Sequence, residues 1–576
     1  MFLDKITTLG GRGSFLLAAS FLICAASPYS WVGRPAGEDP ADIFTDITDE
    51  AGINWRHFNG ESEDRFLIEA MGGGVAFLDF DGDGLLDIFF VNGGETPRGK
   101  SPTPVRNALY RNLGNGKFEE VAEKAGLSRL TFYGMGVAAA DYDNDGFLDL
   151  FVTGFPSSAL FHNNGNGTFS DVTEKAGVKN SGKWAASAAW FDYDRDGRLD
   201  LIILSYVNFS EATNKACQAP TGERDYCTPR AYSPVSARLY HNDGGDRFTD
   251  VTSRAGIDRA LGPGLGVAAA DLNDDGWPDL FVANDTAQNH IWINQHNGTF
   301  REAGIESGAA YNEDGLAKAG MGVAIGDAFG RRKEDLFVVN LMREGATLFR
   351  KESVSSAGVP IFLDVTRQTG LFSITHPYTG FGTGWIDYDN DGRLDLFIAN
   401  GAVTLREEQR GQAAPFKEKN LLIHNGGDKF TDVTPFGGAA FQRLDISRGA
   451  AFGDLDRDGR TDIVFTINNG PPHLLLNQSP TNAWLDVEVE GKGAINRDGI
   501  GAVITLHRDG LSDLLRRVHT DSSYCSASDR RVHFGLGNRS TVRSVEVAWP
   551  DGVRERWDVP AVNRVMHLVR GAGRAP

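Results

Sequence analysis

Asp79-Phe-Asp-Gly-Asp-Gly-Leu-Leu-Asp87 is an acidic loop of the form D-x-D-x-D-G-x-x-D. The form recurs at Asp141–Asp149, Asp192–Asp200, Asp387–Asp395 and Asp454–Asp462, and again at Asp271–Asp279 with Asn273 in third place. A seventh copy, Asp327–Asp335, keeps its end carboxylates but has Phe329 and Arg331 at positions three and five. Alternate carboxylates in a tight loop gather hard oxygens around one point, which suits a Ca²⁺ ion with its six to eight oxygen ligands. The glycine at position six permits the sharp bend. Without a cation, four carboxylates so close together would repel one another. Solvated acidic turns would not explain why the last Asp is repeated.

An EF-hand would need Glu at position twelve and flanking helices. Position twelve is instead Phe90, Val152, Ile203, Val282, Ile398 or Phe465, each inside a short β-type run such as LDIFFV or LDLFVT. The loops therefore join strands.

The formal charge is −20 over 576 residues, an acidic balance that argues against nucleic acid as a partner. Much of that acidity lies in the loops, so six dications would offset it locally. The 70 glycines show no collagen period and fit many turns between short strands. At the N-terminus, Lys5 and Arg12 precede the apolar run Ser14–Ala26 and small residues near Ala25–Ser27. This predicts a signal peptide over residues 1–30 and an exported protein: periplasmic, cell-surface or secreted. No later stretch has transmembrane length. Cys217 and Cys227 are close enough in sequence to pair in an oxidising compartment, or to remain two free thiols. Cys525 has no evident partner.

A second element recurs between the acidic loops. It reads F-x-D/E-V-T followed by A-G-hydrophobic, at Phe44–Ile53, Phe118–Leu127, Phe169–Val178 and Phe248–Ile257, with looser copies from Phe300, Phe362 and Phe430. Most copies follow a strand ending in Asn-Gly-type hairpin chemistry, as in LYRNLGNGKF. Small residues seven and five places before each loop, such as Gly72/Gly74 and Ser447/Gly449, mark a strand that approaches its neighbours closely. Each unit thus supplies four strands, and seven units over residues 40–480 predict an all-β, seven-bladed β-propeller. The chain enters on a lone fourth strand, and its last repeat lacks one. Residues 44–48 are therefore expected to complete the last blade and close the ring.

The G-x-G…D-x-D-x-D-G-x-x-D-L units resemble the FG-GAP, or VCBS, repeats of integrin α chains. Beyond Pro480, INRDGIGA, SSYCSASD, HFGLG and VEVAWPDG resemble the ASPIC/UnbV domain, here expected over residues 481–571 as a small C-terminal β domain. Together they resemble the cartilage acidic protein family and its bacterial members. The repeat resemblance implies Ca²⁺ ligands at loop positions one, three, five and nine, with a main-chain oxygen at position seven. In this sequence those side chains are Asp79, Asp81, Asp83 and Asp87; Asp141, Asp143, Asp145 and Asp149; Asp192, Asp194, Asp196 and Asp200; Asp271, Asn273, Asp275 and Asp279; Asp387, Asp389, Asp391 and Asp395; and Asp454, Asp456, Asp458 and Asp462. About six Ca²⁺ sites are expected, and none at Asp327–Asp335.

Long segments separate strands two and three in three blades: Gly93–Asn107, Ser205–Ser236 and Gly401–Asn420. In a four-stranded blade these connections lie opposite the strand 1–2 loops, so the insertions should gather on the face away from the acidic loops and receive a protein or carbohydrate partner. Tolerated surface drift is the alternative. A monomeric binding or adhesion module is the expected function. A propeller enzyme, either a carbohydrate lyase or a quinone-type dehydrogenase, and an accessory role in a biosynthetic pathway are the alternatives. No hydrolase, zincin or nucleotide fingerprint is present. His162, His241 and His424 fall at equivalent places in third strands, a structural periodicity. Arg497, Asp498, Ser523, Tyr524 and His533 would serve either turn and inter-strand hydrogen bonding or a ligand site.

Overall fold

The computed structural model describes residues 42–220, 222–405, 415–480, 482–538 and 542–576. The expected signal peptide lies outside these residues. Seven four-stranded antiparallel sheets form the blades. Their inner strands are Val75–Leu78, Tyr133–Ala140, Ala185–Phe191, Gly264–Ala270, Val323–Gly326, Gly380–Ile386 and Ser447–Gly453, for blades 1 to 7 in turn. Each inner strand touches the next, and that of blade 7 touches that of blade 1, so the ring closes. In blade 7 the outer strand is Phe44–Asp46, paired with His473–Asn477 from the far end of the ring.

Large apolar side chains fill the wedges between blades. Phe89 and Phe161 pack between blades 1 and 2, and Trp190 and Phe151 between blades 2 and 3. The F-x-D-V-T element works differently from a plain strand. After Phe169–Asp171 comes one helical turn, Thr173–Ala176, ended by Gly177 in the left-handed region at φ 76°. Asp171 accepts from the Thr173 amide, and Thr173 Oγ1 in turn accepts from Leu160 N on the third strand. Asp250/Thr252 and Asp364/Thr366 repeat the arrangement. The motif therefore ties the end of one strand to its neighbour. Sequence reading placed strands here and missed the helical turns.

The C-terminal residues form a three-stranded sheet, centred on Ala483–Glu490, and a four-stranded sheet containing Val503–Arg508 and Val542–Ala548. Leu485, Ile504, Phe534 and Val547 pack between them. This domain does not stand apart, for residues 42–576 are one compact unit. It sits on the acidic-loop face and sends the segment Asp521–Asp529 down the axis of the ring.

That segment bonds to the inner strand of every blade. Backbone pairs join Phe77 N to Ala527 O (3.0 Å), Val137 N to Cys525 O (3.0 Å) and Ser523 N to Val323 O (2.6 Å), and Asp529 N donates to Phe452 O (3.1 Å). Side chains supply the rest: Cys525 N donates to Ser187 Oγ, Ala269 N to Asp521 Oδ2 and Thr383 N to Ser523 Oγ. Tyr524 is fully buried, its hydroxyl donating to Met71 O and its ring edge-on to Phe381. Cys525 is buried here as a free thiol.

The inner-strand glycines make room for this axle. A Cβ on Gly74 would lie 1.7 Å from Cys525 O, and one on Gly449 would lie 2.5 Å from Ser526 Oγ. The axle itself is strained, with Ser522, Ser523 and Cys525 at φ 92°, 62° and 54°. Such conformations persist where the surroundings over-determine them. Arg448, also fully buried, donates to the main-chain oxygens of Ala70, Gly401, Ala402 and Ser447, joining the N-terminal arm to blades 6 and 7.

Tyr524→Ala should lower the stability of the whole protein by about 3–5 kcal/mol, the cost of emptying a buried aromatic site. The exposed Leu511→Ala should change it by less than about 0.5 kcal/mol. Denaturant melts of both variants check this.

Candidate metal centres

Each acidic loop joins an inner strand to the second strand, which begins at the ninth-position Asp. The first-position carboxylate holds the bend by accepting loop amides: Asp79 from Gly82 and Gly84, and Asp141 from Asp145 and Gly146. The ninth-position carboxylate is almost wholly buried and works as a clamp. Asp149 accepts from Tyr142 N on one oxygen and from Asn163 N of the third strand on the other. Asp87, Asp200, Asp279 and Asp462 repeat both bonds. The recurring last Asp thus has a structural reason as well, one that the sequence pattern does not display.

Third- and fifth-position side chains complete the clusters. Carboxylate oxygens of Asp79, Asp81 and Asp87, and of Asp141, Asp143 and Asp149, lie within 4.8 Å of one another. Burial, followed by the other acidic groups nearby, pushes Asp87 and Asp141 up to about 8. Asp192, Asp200 and Asp454 rise to about 7, chiefly through burial. Asp194 Oδ1, Asp387 Oδ1 and Asp395 Oδ2 are buried without a hydrogen-bond partner among the described residues. Carboxyls whose anions are disfavoured this way are groups that a hard cation would keep ionised.

Blade 5 gives the contrast. Asp327 still accepts from the Arg331 and Arg332 amides, and Asp335 from Ala328 N and Lys351 N. The two structural carboxylates are therefore kept. At position five, Arg331 turns its guanidinium onto Asp335 Oδ1 at 2.9 Å. The loop that lost its third- and fifth-position ligand residues has a cation of its own.

The three equivalent histidines lie on these clusters. His162 Nδ1 is 3.3 Å from both Asp143 and Asp149, and His241 Nδ1 is 3.2 Å from Asp200. His424 Nδ1 is 3.2 Å from Asp395. The Asp149 carboxylate pushes His162 up to about 9. Arg111 occupies the same strand position in blade 1 and reaches Asp81 at 2.5 Å. Strand periodicity fixes where these residues sit, but their side chains add positive charge to the loops.

The asparagine that follows was read as a turn former, and it also staples blades together. Asn163 Nδ2 donates to Leu148 O of its own loop and to Phe80 O of the preceding one. Asn242, Asn294, Asn425, Asn477 and Asn112 do the same around the ring. Blade 5 has Lys351 instead, whose ammonium reaches Asp274 in the preceding loop at 2.7 Å.

Of the C-terminal residues singled out in the sequence, His533 makes an inter-strand bond to Asp486, its partner on the neighbouring strand, and several also reach the propeller. They dock the domain onto the loops. Asp498 Oδ2 accepts from Asp141 N, Arg497 N donates to Asn144 Oδ1, and His533 bridges Asp486 and Asn390.

The insertions gather on the opposite face. Leu405 N of the blade 6 insertion donates to Asp225 Oδ2 of the blade 3 insertion, and Tyr226 packs on Phe416 at 6.1 Å between ring centroids. Cys217 and Cys227 form a disulfide within the blade 3 insertion. No helix among the described residues is long and apolar enough to cross a membrane.

Seven four-stranded blades threaded by a C-terminal axle, with acidic loops repeated on one face, define a β-propeller with candidate cation sites. The chain belongs to the FG-GAP-like repeat family, which matches residues 79–152, 143–203, 226–282, 271–338 and 387–465. Residues 492–575 match the ASPIC and UnbV family. Cartilage acidic protein 1 of Homo sapiens is 28% identical over 308 residues, covering 53% of this chain and 43% of that protein. Its Xenopus tropicalis counterpart is 26% identical over 445 residues, covering 73% and 61%. The chain thus spans less than two thirds of the length of these relatives. Among solved structures, an Agrocybe aegerita lectin, described as recognising non-reducing terminal N-acetylglucosamine, aligns at 14% identity over 69% of this chain and 87% of its own, with a TM-score of 0.38. A rhamnogalacturonan lyase aligns at 12% identity over 71% of this chain and 72% of its own, with a TM-score of 0.36.

The division of labour within a loop is testable in chelator. Asp335→Ala should destabilise the protein on the order of 1–3 kcal/mol for each buried amide left unpaired, although its loop lacks the acidic third and fifth positions. Asp145→Asn, which keeps its acceptor for Phe147 N, should change stability little. Denaturant midpoints without divalent ions separate the two.

Proposed function

We propose that this protein is an exported, calcium-stabilised binding module. Each of the six intact loops takes one Ca²⁺ through positions one, three, five and nine. The observation that carries this reading is the exchange in blade 5, where carboxylates three and five are lost together and a guanidinium takes up the remaining charge. An anionic loop needs a cation, and five of the other six keep the full acidic set while the sixth has Asn273. The Cys217–Cys227 disulfide supports an oxidising compartment, hence the periplasm, cell surface or exterior. The insertion face is the surface offered to a protein or carbohydrate partner, and the working form is a monomer.

Calcium should raise the melting temperature of the mature protein strongly, and Mg²⁺ far less, because a ligand that binds the native state alone stabilises it by mass action. At a hundredfold excess over Kd, one site contributes about 2.7 kcal/mol. Asp145→Asn should reduce the calcium-dependent rise without abolishing it. A melt unchanged between calcium and chelator would overturn the reading.

A further inference from the structure

The ring is blocked by its axle, so its mouth on the insertion face is a blind pocket of about 530 Å³. Its floor is made by the ends of inner strands, with Leu265, Met321 and Phe381, and Tyr524 closes the channel behind Phe381. One wall is the insertion closed by the Cys217–Cys227 disulfide, and another is Val403–Leu405 from blade 6. The volume falls within the range of sites for small organic molecules.

Part of the lining is an aliphatic wall, Leu67, Met71, Leu265, Met321, Leu341 and Leu405, and polar side chains make up much of the rest. Set into it is Asp285, 8% exposed. Tyr206 Oη donates to its Oδ2 at 2.5 Å, and among the described residues no other hydrogen bond reaches this carboxylate. Asp225, the other acid of the lining, is already used, accepting from Leu405 N and Tyr226 N. Burial pushes the Asp285 carboxyl up to about 7, the Tyr206 hydrogen bond opposes this, and of the charged groups that act on it Glu344 counts for more than Arg230. Arg343 lies in the lining as well and has an interaction of its own. The residue after Asp285 is Thr286, a β-branched residue held at φ 57°. That conformation is costly, and here it fixes the turn that presents the acid.

A buried carboxylate that accepts one hydrogen bond among the described residues, set beside an aliphatic wall, has a definite complement. We propose that this pocket binds a small organic amine, with the protonated amine set against Asp285 and its carbon body against the leucine and methionine wall. The pairing needs the low-dielectric enclosure the insertions create, where one charged hydrogen bond contributes more than at an open surface. The inference deepens the insertion-face part of the proposed function and is independent of calcium in the loops.

The test uses the full mature chain in calcium, titrated calorimetrically with hexylamine, phenethylamine, hexanol and hexanoate. The two amines should bind, hexanol more weakly and hexanoate least. Asp285→Asn, which keeps the acceptor for Tyr206, should weaken amine binding by about tenfold or more while leaving hexanol unchanged. Leu341→Trp, at a half-exposed lining position, should block all four probes. Both variants should keep the calcium-dependent melt of the parent, which separates a failed pocket from a failed fold or failed metal sites. Equal binding of amine and alcohol, amine binding indifferent to Asp285→Asn, or no binding of either amine would each overturn the proposal.

Discussion

Seven wedges arranged around an axis leave a hole, and the way that hole is filled governs this protein. An axle of nine residues from the C-terminal domain occupies it, bonding in turn to all seven inner strands. Backbone can come this close to backbone because glycine stands where any side chain would collide, as at Gly74 against Cys525. Buried amides of the inner strands that would otherwise face an empty channel find partners in the axle, and buried polar groups demand such partners. The strained backbone at Ser522, Ser523 and Cys525 is held by those same bonds. Propeller and C-terminal domain are consequently one compact unit, and the channel is closed from the acidic face.

The rim of the ring is secured by a different repeated device. In most blades an asparagine on the third strand donates to its own loop and to the loop before it, while the ninth-position Asp holds that strand to the loop. These bonds make each acidic loop part of the joint between blades. Blade 5 illustrates the point, because Lys351 replaces the asparagine and still reaches across to Asp274. Within the blade 5 loop Arg331 pairs with the remaining carboxylate of Asp335, and the ammonium at its border pairs with Asp274 of the loop before it.

The two faces are thereby given different tasks. The acidic face is covered by the C-terminal domain, whose Asp498, Arg497 and His533 contact the loops directly. The opposite face is roofed by insertions that meet across the ring between Leu405 and Asp225. The C-terminal domain leaves the insertion face and its blind pocket uncovered, while the axle keeps the far side of the pocket shut.

The sequence by itself determined the all-β class, the repeat and the ring of seven. Hydrophobic alternation, hairpin turns and the acidic loops are local patterns, and local patterns survive in a linear string. It also separated Asp327–Asp335 from its six fellows, because the missing carboxylates are visible as letters. Tertiary structure alone decided what depends on residues far apart in the chain. Tyr524 and Cys525 read as part of a small β domain until they are found on the axis of another. The short distance from Cys525 to Gly74 spans hundreds of residues of chain, and no local period records it. The histidines at 162, 241 and 424 were correctly placed by periodicity, yet their approach to the loops depends on which way a strand faces. Asp285 lay outside every repeat and motif, since only the closing of the ring surrounds it with leucine and methionine and leaves one carboxylate oxygen without a partner among the described residues.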